Sequence, residues 1–148
     1  MDLHLTQLLN LPAVNVESYQ YKEDSIYFRL SIVTKGIYCP CCLTYTEELH
    51  QVRFITVRDL SAWGKKVYLQ LPRRQFYCRV SQRYTTERLG FVDLRRRYTK
   101  RYEERIFQQV QRLGIEQVSL EEEIPWEQVK NIFNYVEKRQ GNKCLSFH

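Results

Sequence analysis

The spacing of apolar residues changes once along this chain, near residue 90, and no other feature restricts its fold as strongly. Before that point, β-branched and aromatic residues alternate with polar ones, which is the period of a half-buried strand. The residues KEDS separate the first two runs as a turn, and Gly64 and Pro72 separate the last three. The predicted strands are residues 14–21, 25–33, 51–57, 66–71 and 73–78. The first two form a predicted hairpin, and the whole region is a predicted antiparallel sheet.

After residue 90, apolar residues recur every three or four positions, which is the period of an amphipathic helix. A long predicted helix ends at Gly114, and its apolar face consists of Leu94, Tyr98, Tyr102, Ile106, Val110 and Leu113. An acidic segment, residues 116–123, follows, in which Ser119 and Glu122 have the spacing of a capping box. Pro125 then precedes a third predicted helix, residues 126–138, whose apolar face consists of Val129, Ile132, Phe133 and Val136.

Five cysteines, an odd number in a chain without an export signal, argue against a framework of disulfides. Cys39 and Cys42 have the CxxC spacing of a zinc knuckle, which aims two thiolates at one metal ion. A second knuckle would begin at Cys78, but its last position is Ser81, whose hydroxyl is a poor zinc ligand at neutral pH. The fourth ligand could instead be Cys41, His50 or a water molecule. The alternatives are buried cysteines without a metal, or a redox pair, which lacks the βαβ context of thioredoxin-like proteins.

The chain has 23 basic and 17 acidic residues, and the excess of +6 is concentrated in one region. Residues 73–105 contain eleven Lys or Arg and four acids. The pattern places the densest cluster at the start of the long helix, and this cluster consists of Arg95, Arg96, Arg97, Lys100, Arg101 and Arg105. Such a cluster can neutralise several phosphates of a nucleic acid. The alternative is a solvated basic face with the neighbouring tyrosines in the core.

A long helix, a short helix, a tight turn and a third helix follow one another in the order of a helix-turn-helix, whose last helix enters the major groove. On this interpretation the polar side of the third helix reads bases, because Gln and Asn can pair with adenine and Lys with guanine or a phosphate. The residues concerned are Gln128, Lys130, Asn131 and Asn134, together with Glu127. The acidic second helix is unfavourable near DNA, and any three-helix bundle produces the same apolar stripes.

Several motifs together resemble the N-terminal zinc-binding region and helix-turn-helix of the ISL-three family of insertion-sequence transposases. In chain order they are CPCC, His50, RDLSAWGKKVYLQLPRRQFYC, QRYTTER and RRRYTKRYEERI, and the resemblance covers about residues 5–138. It implies that zinc is bound by Cys39, Cys42 and Cys78, and that the intervening sheet is marked by Arg58, Asp59 and Gly64. Two positions depart from the family pattern: Ser81 stands in place of a fourth cysteine, and Thr85 stands where an aromatic residue is usual.

In that family, the N-terminal region recognises the terminal inverted repeats of the element. A longer RNase H-like domain with an acidic metal-binding triad then cuts and joins the DNA. The present chain stops where that catalytic domain should begin, and its acids show no scaffold for two-metal chemistry. The resemblance therefore implies DNA binding without catalysis.

The predicted fold class is α+β, with a small antiparallel, zinc-ribbon-like domain followed by a three-helix helix-turn-helix unit. The predicted bounds are residues 1–90 and 91–140, with a tail in residues 141–148. The predicted function is sequence-specific binding of double-stranded DNA without catalytic activity. One alternative is a protein-interaction or accessory subunit that associates with an intact transposase or another nucleoprotein complex. Another is binding of single-stranded DNA or RNA, and a second copy of the chain is a further possible partner. No membrane-spanning or secretory segment is visible, so the expected location is the cytoplasm.

Overall fold

The computed structural model describes residues 1–145, and the chain divides into two compact units, residues 1–99 and the residues from 100 onward. The first unit contains a short helix, a large sheet and a two-stranded sheet, and the second contains three helices. In chain order the elements are α1 (Leu3–Leu9), β1 (Val14–Lys22), β2 (Ser25–Ile32), β3 (Ile37–Tyr38), β4 (Tyr45–Thr46), β5 (Leu49–Ala62), β6 (Lys65–Cys78), β7 (Arg83–Thr86), α2 (Lys100–Leu113), α3 (Ile115–Glu122) and α4 (Trp126–Leu145). The predicted α+β class is confirmed, with one helix more than the sequence predicted.

The large sheet has the strand order β1-β2-β6-β5, and β7 also pairs with β6. The predicted hairpin is confirmed, because β1 and β2 pair antiparallel on either side of Glu23 and Asp24. The prediction that the sheet is antiparallel throughout is wrong at one junction, where β2 and β6 run parallel. Parallel neighbours need a long crossover connection. Residues 33–64, which include β3, β4 and β5, supply this connection.

Pro72 lies inside β6, so the prediction that it separates two strands is wrong. Backbone N–H groups point alternately to the two sides of a strand, and the N–H of Lys66 points toward the β2 side, where it donates to the carbonyl oxygen of Asp24. By this alternation the nitrogen of Pro72 faces the same side. It lies between Gln70, the last residue paired with β2, and Gln75, the first paired with β7. No ladder hydrogen bond is lost there, which makes proline tolerable in the strand.

The apolar core of the first unit is built on alternate residues of the large sheet. Its buried members are Val14, Val16, Ile26, Phe28, Leu30, Val57, Val67, Leu69, Leu71, Phe91 and Val92. Helix α1 packs against this core through Leu5 and Leu9. A helix of seven residues is too short to show a period, so the sequence analysis missed it. Its signal is Asp2, whose carboxylate caps the first turn by accepting a hydrogen bond from the N–H of Leu5 at 3.0 Å.

The second unit has the three predicted helices, and the apolar face predicted for the third is confirmed by the burial of Val129, Ile132 and Val136 in α4. The rings of Phe107 on α2 and Phe133 on α4 stack at 4.8 Å. The predicted capping box at Ser119 is wrong, because Ser119 lies inside α3 and its hydroxyl donates to the carbonyl oxygen of Ile124.

Two helix ends differ from the prediction. Helix α2 begins at Lys100, so Leu94 and Tyr98 do not belong to its apolar face. The cause is a backbone pairing with β5, in which Arg58 donates to Arg97 at 2.8 Å and accepts from Thr99 at 2.9 Å. This pairing commits residues 97–99 to the first unit.

Helix α4 continues to Leu145, past the predicted end at residue 138. No proline follows that position, and a glycine inside a helix, such as Gly141, costs only about 1 kcal/mol. The predicted tail therefore begins within α4, and residues 146–148 lie outside the described residues. No helix in the described part of the chain has the length and apolar character that a membrane span requires.

Candidate metal centre and nucleic-acid interface

The CPCC motif forms a tight turn between the two short strands β3 and β4. The N–H of Cys39 donates to the carbonyl oxygen of Thr44 and the N–H of Leu43 donates to that of Cys39, both at 2.8 Å. Leu43 adopts the left-handed conformation, with φ of +61°, which closes the turn. These bonds fix the backbone of the turn, and the thiols of Cys39 and Cys42 thereby point toward the end of β6.

Three thiols converge at this place, the two of the CxxC turn and that of Cys78. The sulfur atoms of Cys39, Cys42 and Cys78 all lie within 4.8 Å of one another. The Cys42 and Cys78 sulfurs are 3.5 Å apart, and the hydroxyl oxygen of Ser81 lies 3.3 Å from the sulfur of Cys39. Cys39 and Cys78 are buried, whereas Cys42 is exposed. Ser81 thus stands beside the cluster at the place of a fourth ligand.

The two other residues considered as ligands are not part of this group. Cys41 is exposed and does not join the three sulfurs within the described residues. The ring of His50 packs instead against the ring of Tyr84, with centroids 4.4 Å apart. The structure therefore brings Ser81, rather than Cys41 or His50, to the three thiols.

Hydrogen bonds in the turn favour the thiolate form of these cysteines. The pKa of the Cys39 thiol is lowered to about 6, first by the hydrogen bond with Ser81 and then by the backbone N–H groups of Cys42 and Cys41. The pKa of Cys78 is also lowered, again chiefly by the Ser81 hydroxyl. A thiolate is the form that binds metal ions, so the donor set is prepared for a soft cation.

The run Arg95, Arg96 and Arg97 lies in a loop before α2. The prediction that it lies at the start of the long helix is therefore wrong. A backbone hydrogen bond from Arg96 to Asp93 closes a turn, and Arg95 adopts a positive φ of +66° within it. Arg95 and Arg97 are exposed, and Arg96 is half-buried. The first residues of α2, Lys100 and Arg101, are half-buried and belong to the second unit.

Helix α4 presents the predicted polar residues to solvent. The side chains of Gln128, Lys130, Asn131 and Asn134 are all exposed, as is that of Glu127. The ammonium of Lys130 lies 5.3 Å from the centroid of the Trp126 ring, a cation–π contact at the beginning of the helix. The side of α4 opposite its buried valines and isoleucine is therefore polar and accessible.

Two protein families match different parts of the chain. Residues 35–80 match the family described as "zinc-finger of transposase IS204/IS1001/IS1096/IS1165". Residues 87–137 match the "Helix-turn-helix domain of transposase family ISL3". The chain therefore has the zinc-finger and helix-turn-helix domains of ISL3 transposases. The resemblance predicted from the sequence is thus confirmed, and the ISL3 zinc-finger match contains all three thiols of the cluster.

A curated member of this group is the transposase for insertion sequence element IS1001 of Bordetella parapertussis. The chain is 29% identical to it over 122 residues, which is 79% of the chain and 30% of that transposase. The chain therefore spans less than a third of the length of its ISL3 relative. No solved structure matches the chain.

The ISL3 zinc finger implies a zinc ion, and the thiol cluster fits one. A zinc ion held tetrahedrally at about 2.3 Å from each sulfur keeps those sulfurs about 3.8 Å apart. The Cys42–Cys78 distance of 3.5 Å is close to that spacing, and Ser81 lies beside the cluster where an oxygen could complete it. Cys39, Cys42 and Cys78 would hold the ion, which would tie the β3–β4 hairpin to the end of β6.

The charge of the chain is unequally divided between its two units. Residues 1–99 carry fifteen Lys or Arg and nine acids, whereas residues 100–148 carry eight of each. The whole excess of +6 therefore belongs to the unit with the zinc finger, and the helical unit is neutral. Two further basic residues of the first unit, Arg53 and Arg73, line a groove together with Arg95, Arg96 and Arg97, and the sequence did not single them out as site residues.

Proposed function

We propose that this chain binds double-stranded DNA sequence-specifically, with α4 as the helix that reads base pairs. The observation that carries the proposal is the division of α4 into two faces. Val129, Ile132 and Val136 are buried, while the other side offers exposed amide and amine groups. Such groups can form hydrogen bonds with base edges in the major groove, and the helix-turn-helix match supports this role for α4.

The side chains divide into two kinds of proposed contact. Gln128, Asn131 and Asn134 carry amides, which can pair with adenine, and Lys130 can reach guanine or a phosphate. Arg95, Arg96, Arg97, Lys100 and Arg101 act through the phosphate backbone, which positions a protein on DNA without reading its sequence. Because the relative is named as a transposase for an insertion sequence element, the proposed target is a sequence at the ends of such an element. The proposal includes no strand cleavage by this chain.

Selection of bound duplexes from a random DNA pool tests the proposal directly, because a sequence reader enriches one motif. Replacing Gln128 and Asn131 by alanine should reduce the preference for that motif by about 1–3 kcal/mol. The salt dependence of binding should remain nearly unchanged, since neither side chain neutralises a phosphate. Gln140→Ala, an exposed glutamine near the other end of α4, is the matched control and should retain the full preference.

Replacing Arg95, Arg96 and Arg97 by glutamine should have the opposite signature. Binding should weaken for selected and random duplexes alike, and the slope of log K against log salt should fall by about 0.9 for each phosphate that is no longer neutralised. Arg112→Gln, an exposed change on α2, serves as control.

If the α4 variants weaken selected and random DNA equally, the helix does not read sequence. The chain is then better explained as an accessory subunit that associates with an intact transposase or with a second copy.

A further inference from the structure

Along the ladder between β5 and β6, the paired side chains on one face change from apolar to positively charged. Two successive pairs on the core side are apolar, Val57 opposite Leu69 and Ile55 opposite Leu71. The next pair on the same side is Arg53 opposite Arg73. Like charges directly opposite each other on an antiparallel ladder are destabilising. The fold therefore tolerates a repulsive pair where the apolar core ends.

Arg73 lacks the partners that a half-buried guanidinium needs. Its NH1 nitrogen is buried and has no hydrogen-bond partner. Burial of the guanidinium and the charge of Arg53 lower the pKa of Arg73. The nearby carboxylate of Glu87 is already bound by Arg74, through Nε at 2.8 Å and NH2 at 2.7 Å. The buried donor without a partner costs stability, and an anion beside the guanidinium would offset the like charge of Arg53.

The loop that contains Arg95, Arg96 and Arg97, here called the arginine loop, lies beside the Arg53–Arg73 pair. A groove of about 810 Å³ extends over the Arg53–Arg73 pair, and Arg95, Arg96 and Arg97 form one of its walls. The neutral polar side chains of Gln51 and Gln75 continue the floor beyond the arginine pair. Backbone bonds between Arg58 and the segment at Arg97 fix that wall to β5. The backbone of the fold thus holds these positive charges around one groove.

We propose that this arginine groove, formed by Arg53, Arg73, Arg95, Arg96 and Arg97, holds backbone phosphates of double-stranded DNA. The inference rests on the proposed DNA binding and adds a second contact surface to it, on the sheet of the first unit. Guanidinium groups bind phosphate oxygens through two parallel hydrogen bonds, and a phosphate in the groove would also offset the repulsion between Arg53 and Arg73. The groove is larger than one phosphate needs, and its arginines lie on both floor and wall, so it has room and charge for more than one phosphate.

The first test compares two double variants with equal loss of charge. The floor variant, Arg53→Gln with Arg73→Gln, removes the two positive charges on the floor of the groove. Arg83→Gln with Arg88→Gln removes two exposed arginines of the same unit that do not line it. With duplex DNA from the selection, the floor variant should lower the salt slope by about 0.9 for each phosphate that the groove no longer neutralises. It should retain the sequence preference, and the control variant should keep the slope of the unchanged chain.

A second test uses the single variant Arg53→Gln, first without DNA and then with it. If the Arg53–Arg73 pair repels, Arg53→Gln alone should raise the Tm at low ionic strength, and added salt should reduce the gain because it screens the repulsion. The same variant should bind duplex DNA more weakly than the unchanged chain does. A protein that becomes less stable at low salt, or that binds DNA as tightly as before, would overturn the proposal.

The outcomes separate this inference from the proposed function. Sequence-selective binding with an unaltered salt slope in the floor variant means that α4 reads DNA and the groove does not hold it. Binding without sequence preference, together with a reduced slope in the floor variant, means that the groove holds phosphates and α4 does not read bases. No binding of duplex DNA by the unchanged chain overturns both.

Discussion

Ser81 stands beside the thiol cluster without supplying a thiolate. Its hydroxyl oxygen lies 3.3 Å from the sulfur of Cys39 and is the largest cause of the low pKa of that thiol. A hydroxyl group supports a neighbouring thiolate by hydrogen bonding, but it does not itself deprotonate readily. The site therefore has three strong donors and one weak one, and a single side chain decides whether the set is complete.

Ser81→Cys should convert this arrangement into a four-thiol site. We expect zinc affinity to rise by about 10-fold or more, because even the loss of an outer hydrogen-bond partner costs a metal site about 10–100-fold. Thermal stability with zinc should rise as well, since metal binding contributes to folding. Competition with a chromophoric chelator measures the affinity.

Ser61→Cys, an added thiol at an exposed position of β5, is the matched control and should leave the affinity unchanged. Equal affinity in the two variants would show that Cys39, Cys42 and Cys78 are not the ligand set.

At the scale of residues, local spacing predicts some of the site. The CxxC spacing brings Cys39 and Cys42 together within one turn, and the structure adds Cys78 to them as expected. Their binding of zinc, and the DNA contacts of the basic and α4 residues, stay predictions. Arg53 and Arg73 escaped the sequence analysis because their meeting depends on the register between two strands. A slip of one residue would turn either side chain to the opposite face.

The β3–β4 hairpin is the element that positions the knuckle, and it depends on a close approach of two backbones. Gly36 precedes β3 and is buried, and a Cβ atom built there meets the carbonyl of Thr46 on β4 at far less than van der Waals distance. Ile37 pairs with Thr46 in the same hairpin. Only glycine fits this position without moving one of the strands.

Gly36→Ala should therefore loosen the hairpin that carries the thiols of Cys39 and Cys42. We expect a loss of stability of about 1–3 kcal/mol, which is the usual cost of overpacking a tight site, and a lower zinc content. Thermal unfolding and metal analysis of the purified protein measure the two effects.

Gly90→Ala is the control, because no atom lies within 4 Å of a Cβ at that position. If Gly36→Ala retains the stability and the zinc content of this control, the hairpin does not position the metal ligands.

Element types were more predictable from the sequence than element ends. The period of the apolar residues identified the hairpin β1–β2 and the helices α2 and α4, because each buries one face. The segment of α3 was noticed only for its acids, since α3 buries Val118 alone. It placed Leu94 and Tyr98 in α2, although they lie in a loop held by the backbone of Arg58, a partner about 40 residues away. The prediction that Pro72 ends a strand was wrong for a similar reason. Whether a strand tolerates proline depends on which neighbouring strands pair with it at that residue.

At the scale of the whole molecule, the net positive charge lies in one unit and the helices α2, α3 and α4 lie in the other. The first unit carries the basic excess, the thiol cluster and the arginine groove, and the second unit is neutral. In the proposed function this division assigns phosphate binding chiefly to the first unit and base reading to α4. The α+β class follows from the change of period near residue 90. The distribution of charge could be counted from the sequence, but the groove required the tertiary fold.

The buried carboxylates of the molecule are engaged in its own fold. Among residues with described side chains, these are Asp59, Glu87 and Glu103. Asp59 accepts a hydrogen bond from the hydroxyl of Thr99 at 2.8 Å, Glu87 binds Arg74, and Glu103 lies 3.4 Å from the guanidinium of Arg139. Two-metal cleavage of DNA needs carboxylates that converge on ions about 4 Å apart. The group of metal-ligating side chains that the described residues bring together consists of thiols.

We therefore expect the purified chain to bind DNA that carries its selected motif without cutting or joining it, in the presence of either Mg²⁺ or Mn²⁺. Conversion of supercoiled plasmid to nicked or linear forms, followed over hours on a gel, measures cleavage. The Glu87→Gln variant should lose stability, because its bidentate partner Arg74 keeps a weaker acceptor, and it should show the same absence of nicking. Metal-dependent nicking that copurifies with the chain would contradict this expectation under one condition. It must disappear in a folded variant in which a single Asp or Glu is replaced by Asn or Gln. Nicking that persists in every such variant comes from a contaminating nuclease.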